Sequence, residues 1–159
     1  MLDFQQLVEI VKKVTTEIGL DEKATPKAMV LPASAIKKVC QELHQNASAY
    51  FDMLSCLSGI DNGIEAKTME VVYNLYSIPF NHHLMLKVIL PRENPTIDSV
   101  ADIWRTANWH EREAAEMFGI KFIGHPDPRN LLLPADWEGY PLRKDYQHQE
   151  LYRDVKVKY

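Results

Sequence analysis

The stretch "TMEVVYNLYSIPFNHHLMLKVILP", residues 68–91, holds two apolar alternations separated by a turn-rich break. Met69, Val71, Tyr73 and Leu75 fall two apart in the first, and Leu84, Leu86, Val88 and Leu90 do so in the second. Side chains alternate across a strand, so each set lines a single face. The break "PFNHH" carries the residues of a tight connection. The reading is an antiparallel hairpin with one face turned to a core. Upstream, "YFDMLSCLS" is largely apolar and buried in character, and "GIDNGIEA" joins it to the hairpin through further turn residues. A third antiparallel strand is therefore expected ahead of the pair.

Helical periods flank these strands. Leu7, Val8, Val11, Val14 and Ile18 are spaced for an amphipathic helix over the first eighteen residues, with Gly19 as its stop. A short strand at "AMVLP" follows, and Ser34 opens a second helix with the stripe Ile36, Val39, Cys40 and Leu43. After Pro95, Ser99 and Asp102 resemble a capping pair for a helical region from Val100 to Phe118, breaking near Asn108 and ending at Gly119. This order implies an α+β fold, a two-layer sandwich of a mixed or antiparallel sheet with helices on one side.

Beyond residue 124 neither period is sustained. Four of the nine prolines lie between Pro126 and Pro141, yet Leu131, Leu132, Leu133, Trp137, Tyr140, Leu142, Tyr146 and Tyr152 make the segment too apolar for disorder. The expected division is an α+β domain over residues 1–124 and an extended, proline-punctuated arm over 125–159. Such an arm needs a surface, its own domain or a neighbour.

Apolar residues at 46% and charged residues at 25% describe an ordinary globular chain. A net charge of −4 argues against nucleic-acid binding, which needs clustered cations. No apolar run is long enough to cross a bilayer, and "MLDFQQLVEI" lacks the pattern of an export signal, so a cytoplasmic chain is expected. Cys40 and Cys56 form no metal-binding spacing, and both are expected to be buried thiols.

The segment "WHEREAAEMFGIKFIGHPDPR", residues 109–129, looks like catalytic equipment. "HEREA" begins like a zinc-protease helix but places Ala114 where the second histidine must stand. His82, His83 and His125 are too isolated to complete a metal site. Glu113 and Glu116 are three apart, which suits acid–base work on one helix face as well as a solvated face. No nucleophile or phosphate loop stands near them. Structural electrostatics is the remaining option: Arg112 and Glu116 can pair four apart, and the other carboxylates can receive cations from elsewhere. The residues by themselves favour an interaction protein over an enzyme.

Glu111, Arg112, Glu113, Glu116, the pair Met117 and Phe118, then His125 and Arg129, follow a distinctive spacing. Together with "LPRENPTIDSVADIWRTANWHERE" and "LLLPADWEGYPLRKDY", this resembles the thirty-kilodalton (C) subunit of proton-pumping NADH:quinone oxidoreductase (respiratory complex I). The resemblance is strong from Leu90 to Tyr146. Glu116, Ala115 and Asn130 depart from the commoner aspartate, aromatic and basic residues of that family.

The resemblance implies a non-catalytic structural subunit that binds no flavin, iron–sulfur cluster or metal itself. FMN, iron–sulfur clusters, NADH and quinone belong to other subunits of such a complex. The implied place is the peripheral arm, on the cytoplasmic side of the cell membrane, beside the large quinone-site subunit, with the membrane touched only through the complex. The chain is also expected to be short for the family and unfused to that large subunit. The implied interface comprises Glu111, Arg112, Glu113 and Glu116 at the edge where helix, strand and arm meet, with His125 and Arg129 fixing the start of the arm. Trp137, Tyr140 and Leu142 are the apolar anchors, and Arg143, Lys144 and Asp145 the polar rim. Two alternatives stay open: the equivalent subunit of a ferredoxin-driven quinone reductase or membrane-bound hydrogenase, and a stand-alone enzyme using Glu113 and Glu116.

Overall fold

The computed structural model describes residues 2–156. Its elements in chain order are α1 (Phe4–Lys12), β1 (Gly19–Asp21), β2 (Ala28–Leu31), α2 (Ile36–Gln45), β3 (Met53–Asp61), β4 (Thr68–Ser77), β5 (His82–Pro91), β6 (Thr96–Asp98), α3 (Ala107–Phe118), β7 (Lys121–Ile123), β8 (Leu151–Tyr152) and β9 (Val155–Lys156). The hairpin read from residues 68–91 is β4 and β5, paired antiparallel with Tyr73 opposite Leu86. On its other side β4 pairs antiparallel with β3, where Tyr73 meets Leu57. The sheet order is β1-β2-β5-β4-β3, and β2 runs parallel to β5, so the sheet is mixed.

The expected inward face is the real one. Met69, Val71, Tyr73, Leu75, Leu84, Leu86, Val88 and Leu90 are all buried in one cluster with residues from all three helices. Ser58, Glu70, Asn74, Lys87 and Ile89 occupy the opposite face, and none of them is buried. Full burial of each apolar side chain contributes about 1.5–3 kcal/mol, more than an exposed ion pair at about 0–1 kcal/mol, so the alternation and not surface charge sets the strand register.

Three helix expectations are corrected. The first helix ends at Lys12, and Gly19 opens β1 instead of stopping a helix. Pairing with β2 prevails there: Gly19 sits opposite Val30, and a Cβ on it would stand 3.2 Å from the Val30 Cβ. Val14 and Ile18 still pack on the core, but from outside the helix. Ser34 caps nothing; α2 begins at Ile36 after Ala35, with no side-chain cap. The third helix begins at Ala107, not Val100, because residues 96–98 pair in parallel with β7 and Ser99 turns its hydroxyl to Glu111. Residues 100–106 form turns between them. Gly119 does end α3, in the left-handed region at φ 75°. Cys40 is buried as expected, whereas Cys56 is half-buried beside Ser58.

Gly59 positions the site. It faces α3 from β3, and a Cβ would stand 2.7 Å from the Phe118 ring, so its absence lets the end of α3 close onto the sheet. The segment after residue 124 carries only the two-residue strands β8 and β9 and lies along α3; the last three residues of the expected arm fall outside the described residues.

Candidate functional site

The charged residues of α3 work mostly inside the chain. Glu111 is fully buried, one carboxylate oxygen accepting the Ser99 hydroxyl and the other the Val100 amide at 2.7 Å. Burial pushes its carboxyl up to about 7, against the pull of those two hydrogen bonds. It lies 3.9 Å from His125 Nε2. That nitrogen donates to the Asn108 carbonyl at 3.0 Å, while Nδ1 accepts the Asp127 amide, also at 3.0 Å. The two bonds fix a neutral ring with its proton on Nε2, and the ring ties the first residues of the arm to α3. Glu111 has no exposed surface to offer a partner, so its place is the joint between the 99–100 turn and the helix.

Glu116 and Arg112 hold the next part of the arm. The Glu116 carboxylate accepts three successive amides, Leu131 at 2.9 Å, Leu132 at 2.9 Å and Leu133 at 3.1 Å. Successive amides converging on an anion form a concave nest, filled here by the chain's own side chain. Arg112 donates to the carbonyls of Arg129 and Asn130 at 2.8 and 2.9 Å. The expected Arg112–Glu116 pair is absent among the described residues, because both groups satisfy backbone instead. Arg129 forms a two-point pair with Asp127 at 2.7 and 2.8 Å on the surface.

The C-terminal end of α3 is capped by the arm. The Leu142 amide donates to the Met117 carbonyl at 3.1 Å, and Arg143 Nε to the Phe118 carbonyl at 2.7 Å. A cation at that end also suits the helix dipole. Arg143 lies over the Tyr140 ring at 4.6 Å. Trp137 stacks at a tilt on Tyr152, 5.6 Å between ring centres, and Leu142 remains 55% exposed.

Asp61 and Arg92 were not singled out from the sequence, yet they anchor the far end. Asp61, buried at the end of β3, takes a two-point contact from Arg92 at 2.8 and 2.9 Å and the Lys144 and Gly63 amides at 2.9 Å each. Arg92 also pairs with Asp145. The Arg92 guanidinium holds the Asp61 carboxyl well below the usual carboxylate range. "LPRENP" lay within the resembling stretch, but nothing local in it names a partner 31 residues earlier.

A cavity of about 360 Å³ lies between α3, β7 and the arm, with Glu111, Arg112, Glu116 and Trp137 in its walls. Glu113 is exposed and faces other depressions, beside Met117 and Trp109. Glu113 and Glu116 therefore do not converge on a shared space, as two carboxylates acting together would. Among the described residues no group of three or more His, Cys, Asp or Glu side chains is placed to hold a metal. Burial raises the Cys40 thiol far above its ordinary range, which removes it as a nucleophile.

The family model described as "Respiratory-chain NADH dehydrogenase, 30 Kd subunit" matches residues 29–152. The chain belongs to this family. The match runs from within β2 to the end of β8 and so includes α3 and residues 125–152. It is 54% identical over 110 residues to the NADH-quinone oxidoreductase C subunit of Chloroherpeton thalassium, a match that covers 69% of this chain and 45% of that protein. Against the same subunit of Chlorobium phaeobacteroides the identity is 52%, with 66% of that protein covered. The chain thus spans from under half to about two thirds of the length of these relatives. The corresponding subunit of Moorella thermoacetica is 34% identical over 142 residues, covering 89% of this chain and 94% of its own. Among solved structures, the trypsin-resistant fragment (1-134) of Nqo5 superposes with a TM-score of 0.64 at 27% identity, over 77% of this chain and 97% of that one. A chain of the membrane-bound sulfane sulfur reductase, an archaeal respiratory membrane complex, shares the fold at TM-score 0.69 and 20% identity, over 90% of this chain and 85% of that one. Membership in the family agrees with the α+β sandwich expected from the sequence. No helix among the described residues is long and apolar enough to cross a membrane.

Proposed function

We propose that the chain is a non-catalytic structural subunit of the peripheral arm of a proton-translocating NADH:quinone oxidoreductase. It docks beside the large quinone-site subunit on the cytoplasmic side of the membrane, and FMN, iron–sulfur clusters, NADH and quinone are handled by other subunits. The observation that carries this reading is the use of the charged cluster. Glu111, Arg112 and Glu116 are engaged with backbone amides, backbone carbonyls and a serine hydroxyl that fix the arm against α3. The arm then presents its remaining apolar groups, Leu132 at 62% exposed and Leu142, outward. A rigidly held segment with exposed anchors is suited to binding another protein without a large ordering cost. Such a subunit serves the reaction by keeping redox partners in place, where a small displacement costs rate.

Affinity capture from membranes solubilised in mild detergent tests this. The tagged chain is expected to bring down the large quinone-site subunit. Leu132→Asp is expected to lower that recovery and quinone reductase activity together, while NADH oxidation by an artificial acceptor at the flavin persists. Capture of no oxidoreductase subunit, or turnover of a substrate by the purified chain alone, would overturn the proposal.

A further inference from the structure

Helix α3 has an outward stripe that the fold does not use. Trp109 and Glu113 are four apart, so they stand one above the other on the same face. Trp109 is 67% exposed, more than any other large apolar side chain among the described residues. Within those residues its indole joins no ring pair and no cation contact, and Glu113 joins no hydrogen bond or ion pair, in contrast to Glu111 and Glu116 on the same helix. Two depressions meet at this stripe and share His110 and Glu113 in their walls. One is apolar, running past Leu57, Met117, Phe118 and Leu142 beside β3. The other runs past Trp109 and Leu131 to Arg105.

We propose that this stripe seats a segment of a neighbouring subunit through one arginine, stacked on Trp109 and paired with Glu113, with apolar neighbours in the groove beside Met117 and Leu142. The proposal rests on the chain's being a subunit of a larger complex. A planar guanidinium can stack on an indole face and pair two-pronged with a carboxylate at once, which a lysine ammonium cannot. Tryptophan and arginine, the pair proposed to meet here, are among the residues enriched in interface hot spots. Arg105 lines the same depression, which disfavours a second cation from the partner segment there.

The test uses the assembled complex in membranes. A benzophenone amino acid placed at position 110 is irradiated, and the cross-linked peptide is sequenced by mass spectrometry. The expected product joins this chain to another subunit at a peptide holding an arginine between apolar residues. Glu113→Lys is then expected to reduce recovery of that subunit about tenfold, and Glu113→Gln less, because reversal adds repulsion to the lost pair. Reversing the identified arginine to glutamate should restore recovery with Glu113→Lys. Because Glu113 makes no internal bond among the described residues, the variants should melt like the unaltered chain, and this is measured alongside. A cross-link only to this chain, to a second copy, to lipid or to a peptide without arginine overturns the inference, as does unchanged recovery with Glu113→Lys. Those outcomes leave the subunit reading intact if the chain still brings down the complex. Failure of the unaltered chain to bring down any subunit overturns both.

Discussion

Replacing Glu111 with glutamine is expected to make the protein more stable above neutral pH and to leave it unchanged near pH 4. The carboxyl titrates near 7 in the folded chain, against an ordinary value of 4.5, because burial outweighs the Ser99 and Val100 hydrogen bonds. A carboxyl whose folded value is raised binds its proton more tightly folded than unfolded. Its penalty is therefore absent below about 4.5, grows as pH rises, and is complete above about 7. The displacement from 4.5 to about 7 corresponds to about 3 kcal/mol at full deprotonation, at 1.36 kcal/mol per decade. Glutamine keeps an oxygen for the Val100 amide and offers an amide to the Ser99 oxygen, so it preserves the joint without the charge. Urea denaturation of both proteins from pH 4 to pH 8.5 measures the difference. The two should agree within about 0.5 kcal/mol at pH 4, and the variant should lead by ~3 kcal/mol at pH 8.5. A gap that stays constant across this range would refute the reasoning, and so would a variant less stable at pH 8.5.

Glu116→Ala removes the acceptor for three amides at once and should loosen the 131–133 segment by ~2–4 kcal/mol, since hydrogen bonds to charged groups contribute about 1.5–3 kcal/mol each when fully formed. Hydrogen exchange at Leu131, Leu132 and Leu133 should then quicken by about a hundredfold, with the β4–β5 amides unaffected. Asp61→Asn should cost about 1.5–3 kcal/mol, because a neutral amide replaces the carboxylate that accepts from Arg92 and leaves Asp145 as the guanidinium's remaining carboxylate. The folded Asp61 carboxyl is depressed, so its stabilisation is present above about 3.8 and is lost as pH falls toward the folded value. Acid denaturation curves of the two proteins should accordingly begin to approach each other below about pH 3.8 and keep converging as pH falls.

The opening hairpin was legible because strand periodicity is local: two-residue spacing of Met69, Val71, Tyr73 and Leu75 fixes a face wherever the strand sits. Gly119 as the end of α3 was legible for the same reason, as a left-handed position that glycine tolerates. Helix starts were less so. Ser99 has the chemistry of a cap, but the parallel pairing of β6 with β7 holds it beside Glu111, a choice made by contacts 12 residues away. The candidate site divides along the same line. Composition and spacing marked α3 and the arm as a polar, aromatic contact region, and the family resemblance named its kin. Which carboxylate faces inward could not be read from them. Glu111, Glu113 and Glu116 are chemically identical, and only packing makes the first a buried joint, the second a free exposed charge and the third a cradle for amides.

The arm's course belongs wholly to tertiary structure. Asp61 meets the Lys144 amide across 83 residues, and no pattern in either neighbourhood encodes that meeting. Sequence alone determined the elements whose stability comes from their own periodicity and turn chemistry. Folding decided the polar partnerships, because a buried charge takes whichever donor the closed chain brings within reach.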